Sequence, residues 1–406
     1  MNFKALSTPH LAMGLTLLFL LALSSFFPIT TGRMDPDTGR IRVLYIGDHG
    51  PQSPSPSMDA DPLIHLRVAY AFFHVKGDQR KRLNRLYFPR TYRDLTWYDA
   101  VIISDTPVDQ FEDDHFLWFR NSVVENGSGF VMIGGNAGFG GGPELPWTPT
   151  MVQDILPVMC LEGETALGRM EIIRPDHELV QSLPLERRWN WMQEQGVNRV
   201  DMRQDAEVLA EVINNAGGQR VPFWATWEVG RGRTFAVTGD WTPMGGLVFM
   251  RWAYYGDFAI NLMMYLSRNP IPSDLETIHR IRGRYLDYRS TRDYLISVME
   301  FSEKFGANMN PVGEMLVEAD ETYSSSIGLY IDQNFGESLG ILEEAIETLI
   351  EASDRAVELK NQALQWIFFA EWTTVTATFA IGTFVVWTLM VRRRLFREVS
   401  QTRFVY

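Results

Sequence analysis

Short apolar runs that end in polar or glycine residues dominate the middle of the chain. Three of them, at 41–46, 98–105 and 129–135, are closed by Gly, Ser or Asp, which is the pattern of a buried strand followed by a loop. Helix-like segments precede the second and third runs, at 62–73 and 111–125. Strands that alternate with helices predict a three-layer α/β fold with a mostly parallel sheet.

The end of this region predicts a hairpin and a closing helix. Beyond residue 171 the apolar alternation is looser, and residues 222–240 form two apolar runs around glycines at 230–232, which predicts a hairpin. A helix at about 249–266 closes the domain before Pro270 and Pro272.

Residues 271–365 are rich in charged, helix-favouring sequence and lack strand signals, so they predict a helical stalk. Its apolar residues that fall mainly on one helical face are Leu339, Leu342, Ile346, Leu349, Ile350, Val357 and Leu364. Such a stripe needs a partner. The partner is either another helix of the same stalk, at 275–305 and 312–330, or a second copy of the chain, and an intramolecular hairpin or bundle is favoured over a coiled-coil dimer.

A transmembrane helix is predicted near the C-terminus. The twenty residues at 372–391 carry no charge, and as a helix they would rise about 30 Å, the thickness of the hydrocarbon core. Arginines follow at once at 392–394 and 397, and by the positive-inside rule they predict a cytoplasmic tail.

A second apolar run, at 11–27, follows Lys4 and fits either an uncleaved signal anchor or the core of a signal peptide. Phe26 and Phe27 make a poor cleavage site, so the uncleaved anchor is favoured. Either alternative exports the residues that follow.

Together these segments predict a cell-membrane protein with two spans, an extracytoplasmic main domain and both termini in the cytoplasm. The predicted organisation is a cytoplasmic N-terminus (1–10), a signal anchor or transmembrane helix (11–29), a linker (30–40), an α/β domain (41–270), a helical stalk (271–365), a transmembrane helix (366–391) and a basic cytoplasmic tail (392–406).

Charge and cysteine content exclude several functions. The net charge of the 406-residue chain is −13, so it offers no basic field for nucleic-acid phosphates. Cys160 is the only cysteine, which excludes an intramolecular disulfide and a metal site built from cysteines. A buried structural role is expected for it.

The sequence from Gly134 to Gly138, with Gly135, Asn136 and Ala137 between them, follows the apolar run at 129–133. In hydrolases and amidotransferases with a strand–turn–helix elbow, this G-x-N-x-G position carries Ser or Cys on a turn with positive φ. Here the centre is Asn136, whose amide cannot act as an activated nucleophile. Because Asn tolerates left-handed geometry, the turn is expected to persist without the chemistry.

With this elbow, residues 41–268 resemble the class I glutamine amidotransferase-like superfamily, in the branch related to ThuA-like proteins. The segments that carry the resemblance are VLYIG (43–47), YDAVIISD (98–105), GSGFVMIGG (127–135), DILPV (154–158), HELVQSLP (177–184), GVNRV (196–200) and GRGRTFAVTGDWTP (230–243). The resemblance implies a flavodoxin-like α/β domain.

The resemblance also implies a catalytic Cys at the elbow with a His and a Glu late in the domain, and this chain departs from that pattern. The elbow holds Asn136, and after His177 the next histidine is His279, beyond the predicted domain. His177 itself is expected to stabilise a turn. No catalytic residue is therefore assigned, and the chain is expected to be a pseudoenzyme.

Polar residues follow the predicted strands and could line one edge of the sheet, since ligands bind beyond the carboxyl ends of parallel strands. The candidate ligand-binding rim consists of Asp48, His49, Asp105, Asn136 and Asp240. Such a set could hold a divalent cation or the hydroxyls of a sugar, although no cofactor is required. The alternative is that these residues only cap turns and helices.

Three functions remain open. The first is a non-catalytic sensing or scaffold domain that binds a small ligand or a partner protein outside the membrane. The second is a metal- or carboxylate-assisted hydrolase of envelope sugars or polymers, with Asp48, Asp105 and Asp240 as its working groups. The third is a structural subunit of a membrane complex, held by a protein partner or by self-association through the stalk.

Overall fold

The computed structural model describes residues 32–70, 78–141, 146–164, 168–186, 188–189, 197–215, 217–242 and 247–401. The chain divides into two compact units, with the division between His279 and Arg280.

The first unit contains a nine-stranded sheet. Its strands are β1 (Ile41–Gly47), β2 (Ile64–Tyr70), β3 (Ala100–Ser104), β4 (Gly129–Ile133), β6 (Gly168–Ile172), β7 (Arg188–Trp189), β9 (Glu207–Asn214), β10 (Arg220–Val229) and β11 (Gly232–Val237), in the order β2-β1-β3-β4-β11-β10-β9-β6-β7. A separate antiparallel pair consists of β5 (Val158–Glu164) and β8 (Asn198–Met202).

The helices of the first unit are short, apart from two of twelve residues. They are α1 (Ser55–Ala60), α2 (Asp78–Tyr87), α3 (Tyr92–Leu95), α4 (Asp113–Val124), α5 (Glu178–Gln181), α6 (Leu247–Met250) and α7 (Tyr255–Leu266), with single 3-10 turns at Val108–Gln110 and Met151–Asp154.

One half of the sheet is parallel. β2, β1, β3, β4 and β11 are parallel neighbours, and every residue of β3 and β4 is buried, as expected when helices cover both faces. The remaining pairs are antiparallel, so that only β10 and β6 run against the other strands. The predicted α/β fold with a large, mostly parallel sheet is confirmed, and so is the hairpin of β10 and β11.

The register places α4 and α7 on opposite faces of the sheet. Trp224 of β10 is opposite Val237 of β11, which is opposite Ile133 of β4, so these three side chains share a face. Trp224 stacks on Phe258 of α7 at 4.7 Å between ring centroids. Phe130, three residues before Ile133, must point to the other face, and there it contacts Phe119 of α4. The domain is therefore built in three layers.

The predicted helix at 62–73 is wrong where the structure describes it. Residues Ile64–Tyr70 form β2, which is parallel to β1. The sequence carried the signal for a strand, because apolar Ile64, Leu66 and Val68 alternate with exposed His65 and Arg67, the two-residue period of a half-buried edge strand. The predicted closing helix is also divided: α6 ends at Met250, and α7 begins at Tyr255.

The second unit is helical, as predicted. It contains most of α8 (Leu275–Glu303), which crosses the division, together with α9 (Asn310–Ile331) and α10 (Phe335–Gln401). Leu342 and Leu349 of the predicted stripe are fully buried, whereas Ile350 is exposed. Part of the stripe is thus covered within one chain, as an intramolecular bundle predicts, and self-association of the stalk stays a prediction.

The last part of α10 is long and apolar enough to cross a membrane. None of its residues from Trp366 to Leu395 is buried in the described structure. The predicted N-terminal span, at 11–29, lies outside the described residues.

Candidate functional site

The parallel half of the sheet gathers the predicted rim at one edge. Asp48 follows β1, Asp105 follows β3, Asn136 follows β4, and Asp240 follows β11. Because these strands are parallel neighbours, their carboxyl ends lie side by side. Residues 142–145 and 243–246 lie outside the described residues.

Asp48 is held by one residue of β3 and one residue of β1. The Ser104 hydroxyl donates to its carboxylate at 2.7 Å, and the Tyr45 hydroxyl donates to its backbone oxygen at 2.8 Å. Burial raises the pKa of Asp48, although hydrogen bonds from Ser104 and Thr242 act in the opposite direction. The carboxyl group is therefore both fixed and reluctant to ionise.

Asp240 is a buried acid that closes its own turn. Its Oδ1 accepts the backbone N–H of Thr242 at 2.7 Å and the Thr242 hydroxyl at 2.9 Å. Burial, and then the charges of Asp48 and Asp105, raise the pKa of Asp240 to about 8. At neutral pH this side chain holds a proton, so the edge carries less negative charge than its three carboxyl groups suggest.

The raised pKa of Asp240 predicts a pH-dependent stability. Between about pH 4 and about pH 8 the unfolded state loses this proton while the folded state keeps it, so the free energy of unfolding falls as pH rises, by up to about 1.4 kcal/mol per pH unit. Asp240→Asn, which resembles the protonated acid, removes this contribution. We expect the variant to have a higher melting temperature than the parent protein at pH 8 and nearly the same one at pH 4. A difference that does not change with pH would contradict the assignment.

Asp105, which follows β3, contacts the turn that follows β4. Its φ is 38°, and its Oδ1 accepts the backbone N–H of Ala137 at 2.6 Å. Gly135, with φ 138°, passes so close that a Cβ there would overlap the Asp105 carboxyl group. Asp105 thus supports the turn through its carboxylate, and Gly135 makes that approach possible.

Asn198 of β8 holds the same turn from the other side, and sequence analysis did not identify it. Its Oδ1 accepts the N–H of Gly135 and its Nδ2 donates to the Gly135 carbonyl, both at 3.0 Å. The side chain is almost completely buried. The only signal in the sequence was its place in the GVNRV segment, which gives no indication of a contact 63 residues away.

The elbow differs from the predicted strand–turn–helix. The positive φ angles belong to Gly135 and Phe139 (53°), not to Asn136, and bends and turns follow β4 through Gly141 instead of a helix. Asn136 itself is half-buried. The expectation of left-handed geometry at Asn136 is therefore wrong, because the neighbouring Gly135 takes the positive φ instead.

The histidines have separate surroundings. His49 is partly buried next to Asp48, and burial lowers its pKa. His177 caps α5, where its Nδ1 accepts the N–H of Leu179 at 3.2 Å, which confirms the predicted turn-stabilising role. His279 places its Nδ1 2.6 Å from the buried carboxylate of Asp257.

Cys160 is not a nucleophile in this fold. It lies in β5, is buried, and has its thiol pKa raised to about 12 by burial. A thiol with such a pKa is almost fully protonated at neutral pH. The predicted structural role is confirmed.

No group of three His, Cys, Asp or Glu side chains that could hold a metal ion occurs within the part of the chain that the structure describes. Asp48, Asp105 and Asp240 share an edge of the sheet, but the carboxylate of Asp105 bonds to the turn after β4 and that of Asp240 bonds to its own turn.

The family match to known proteins lies in the first unit. Residues 79–268 match the family model described as "Putative glutamine amidotransferase". A solved structure described as a cytoplasmic protein from Salmonella typhimurium LT2 is similar, with 21% identity and a TM-score of 0.45 over 56% of this chain and 99% of that one. No curated protein sequence matches significantly.

Proposed function

Because residues 79–268 belong to the class I glutamine amidotransferase-like superfamily, we propose that the protein is a non-catalytic amidotransferase-like subunit. In this proposal the α/β domain lies outside a membrane, is anchored there by α10, and binds a small ligand or a partner protein as a sensing or scaffold domain.

The turn after β4 carries the proposal. The superfamily resemblance implies a cysteine at the position of Asn136, and the one cysteine of this chain is buried in β5 with a strongly raised pKa. The turn is nevertheless well supported, by Asn198 and Asp105. A supported turn without a nucleophile fits a domain that retains its binding edge after losing the chemistry.

The polar edge supports binding of a neutral or hydroxyl-rich ligand. Asp48 is partly exposed, and the Ser104 hydroxyl holds its carboxylate in place, so one fixed polar group is available to a ligand at this edge. Hydrogen bonds between such fixed groups and a sugar or amide ligand require little reorganisation.

Ligand binding and glutamine hydrolysis can be measured on the same purified, detergent-solubilised protein. We expect no ammonia release from glutamine, and we expect one member of a panel of glutamine, simple sugars and divalent cations to raise the melting temperature by mass action. Asp48→Asn should reduce that shift. Ammonia release that is abolished in the Asn136→Ala variant would overturn the non-catalytic proposal. If no member of the panel raises the melting temperature, the result would argue against a small ligand from these classes.

A hydrolase is the second candidate, and one observation favours it. Burial raises the pKa of both Asp48 and Asp240, and the charge of Asp48 raises that of Asp240 further; an interacting pair of carboxyl groups with raised pKa values is a candidate acid and base of a hydrolase. Hydrolysis of a nitrophenyl glycoside that both Asp240→Asn and Asp48→Asn abolish would favour this candidate over the binding subunit.

A further inference from the structure

A groove of about 660 Å³ lies in the second unit between the end of α8 and one face of α9. Its apolar lining consists of Met299 of α8, Met309 in the connection, and Val317 of α9, with Gly313 between them. Val317 is 57% exposed. Met299 is partly exposed and Met309 is buried, so the groove leaves apolar side chains of the two helices, those of Met299 and Val317, open to a partner.

The groove uses one helical face of α9. The lining positions in this helix are 310, 313, 314, 317, 318 and 321, which recur at the three- and four-residue spacing of one side of a helix. Val312 and Ala319, on another side, are buried. The exposed face thus has the spacing that a second helix requires for regular packing.

Acidic side chains flank the apolar lining. Glu303, Glu314, Glu318 and Glu321 line the groove, and α9 contains no Lys or Arg. The remaining acid of α9, Asp320, is bound by Arg292 at 2.7 Å. The groove is thus apolar inside and negative around it.

We propose that this groove binds a basic amphipathic helix of a partner protein. The apolar face of that helix packs on Met299 and Val317, and its lysines or arginines lie opposite the glutamates. Methionine side chains adapt to different apolar partners, and helix-in-groove recognition uses anchors at this spacing. Opposite charges around the groove favour the encounter and select the partner.

Charge also distinguishes this partner from the alternatives. A second copy of the chain would bring the same acidic face to the groove, and like charges would repel. The basic run of that second copy, at 392–397, follows the apolar part of α10 and belongs to the predicted cytoplasmic tail. Nucleic acid and anionic lipid carry the wrong sign.

The test uses the full chain in nanodiscs of zwitterionic lipid, with empty discs as the blank. The probe is a fluorescent peptide of about twenty residues, in which Leu and Lys alternate with helical periodicity, and the comparison peptide has the same composition in scrambled order. We expect fluorescence anisotropy to show binding of the amphipathic peptide and at least tenfold weaker binding of the scrambled one.

Two groove variants address charge and shape separately. Glu314→Lys, Glu318→Lys and Glu321→Lys together should weaken binding of the amphipathic peptide at least tenfold. Gly313→Leu should also weaken it at least tenfold without a change in charge, because a Cβ at this position lies 3.9 Å from the Met299 methyl group and the longer side chain enters the groove.

The matched control reverses three exposed glutamates of α10. Glu344→Lys, Glu347→Lys and Glu351→Lys lie on the exposed surface of the same unit, make the same change in net charge, and should alter the affinity less than threefold. Equal weakening by the control, equal binding of the scrambled peptide, or unchanged affinity of Gly313→Leu would each overturn the proposal. Self-association that the groove glutamate variant abolishes would also overturn it and assign the face to a second copy.

Discussion

A fragment of residues 32–365 will remain soluble after ultracentrifugation, whereas a chain of residues 32–406 will sediment with membranes. The segment removed contains large apolar side chains that have no covering partner within the described structure, such as Trp366, which is 72% exposed, and Phe379. Exposed apolar surface is unfavourable in water by about 25 cal/mol per Å². In hydrocarbon the same surface has no such cost.

The backbone and hydroxyl groups of this segment also suit a bilayer. Each described threonine hydroxyl from Thr373 to Thr388 donates to the carbonyl four residues earlier, at 2.7–2.9 Å. The threonine hydroxyls then need no water molecule inside a hydrocarbon core, which is compatible with the proposed lipid-facing helix.

The ends of the fragment follow from the contacts. Arg33 belongs to the first unit, since its Nε lies 3.5 Å from Asp99 and its N–H donates to Ser267. Truncation after residue 365 keeps the buried positions of α10 up to Ala356. Sedimentation of the 32–365 fragment with membranes, or a soluble 32–406 chain, would contradict the anchor.

The side of the membrane can be measured with variants that each add one exposed cysteine. Cys160 is buried, so it should not react with a membrane-impermeant maleimide in the folded protein. Cysteines in place of Gln219 and Arg394, both exposed, report on the α/β domain and on the basic tail. We expect labelling of the Gln219→Cys variant in intact cells and labelling of the Arg394→Cys variant only after permeabilisation. The reverse pattern would contradict the proposed topology.

Local sequence was sufficient for the elements that are apolar throughout or strongly periodic. β1, β3 and β4 appear in the sequence as apolar runs because both faces of a parallel strand are covered, and the helical region was predicted from the stripe that contains Leu342 and Leu349. β2 was missed although its alternation was present, because a short segment between two loops fits either a helix or an edge strand.

The candidate site was predicted only in part, because spatial neighbours are set by the sheet and not by the sequence. Fold rules brought Asp48, Asp105 and Asp240 to one edge, but they do not give the direction of a side chain. Asn198 could not be assigned, since its partner is Gly135, in the turn after β4 and 63 residues away in the sequence. Such contacts also determine that Gly135, and not Asn136, takes the positive φ.

Trp241→Ala will destabilise the first unit by about 3–5 kcal/mol, the usual range for a fully buried large aromatic side chain. Its indole is 0% exposed and stacks on Tyr45, with ring centroids 6.1 Å apart. The indole N–H lies 2.9 Å from the Ser104 hydroxyl and 3.2 Å from the Tyr45 hydroxyl. The side chain thus joins the ends of β11, β1 and β3.

This position links stability to the geometry of the edge. Ser104, which accepts from Trp241, donates to Asp48, so the indole fixes the hydroxyl that fixes the carboxylate. Trp241→Phe keeps most of the packing and removes the N–H donor, and we expect a smaller loss of about 1–2 kcal/mol. Any ligand-induced rise in melting temperature that depends on Asp48 should decrease in the Trp241→Phe variant as well.

Calorimetry of the 32–365 fragment can measure these effects, and Trp97→Ala provides the matched control. Trp97 belongs to the same unit but is 41% exposed, and it lies against Arg42 at the surface. For a unit of this size we expect Trp241→Ala to lower the melting temperature by about 10 °C and Trp97→Ala by less than half as much. If the two substitutions lower the melting temperature equally, the edge does not depend on Trp241 more than on a surface tryptophan. The contacts among Trp241, Ser104 and Tyr45 would then not hold the strand ends together.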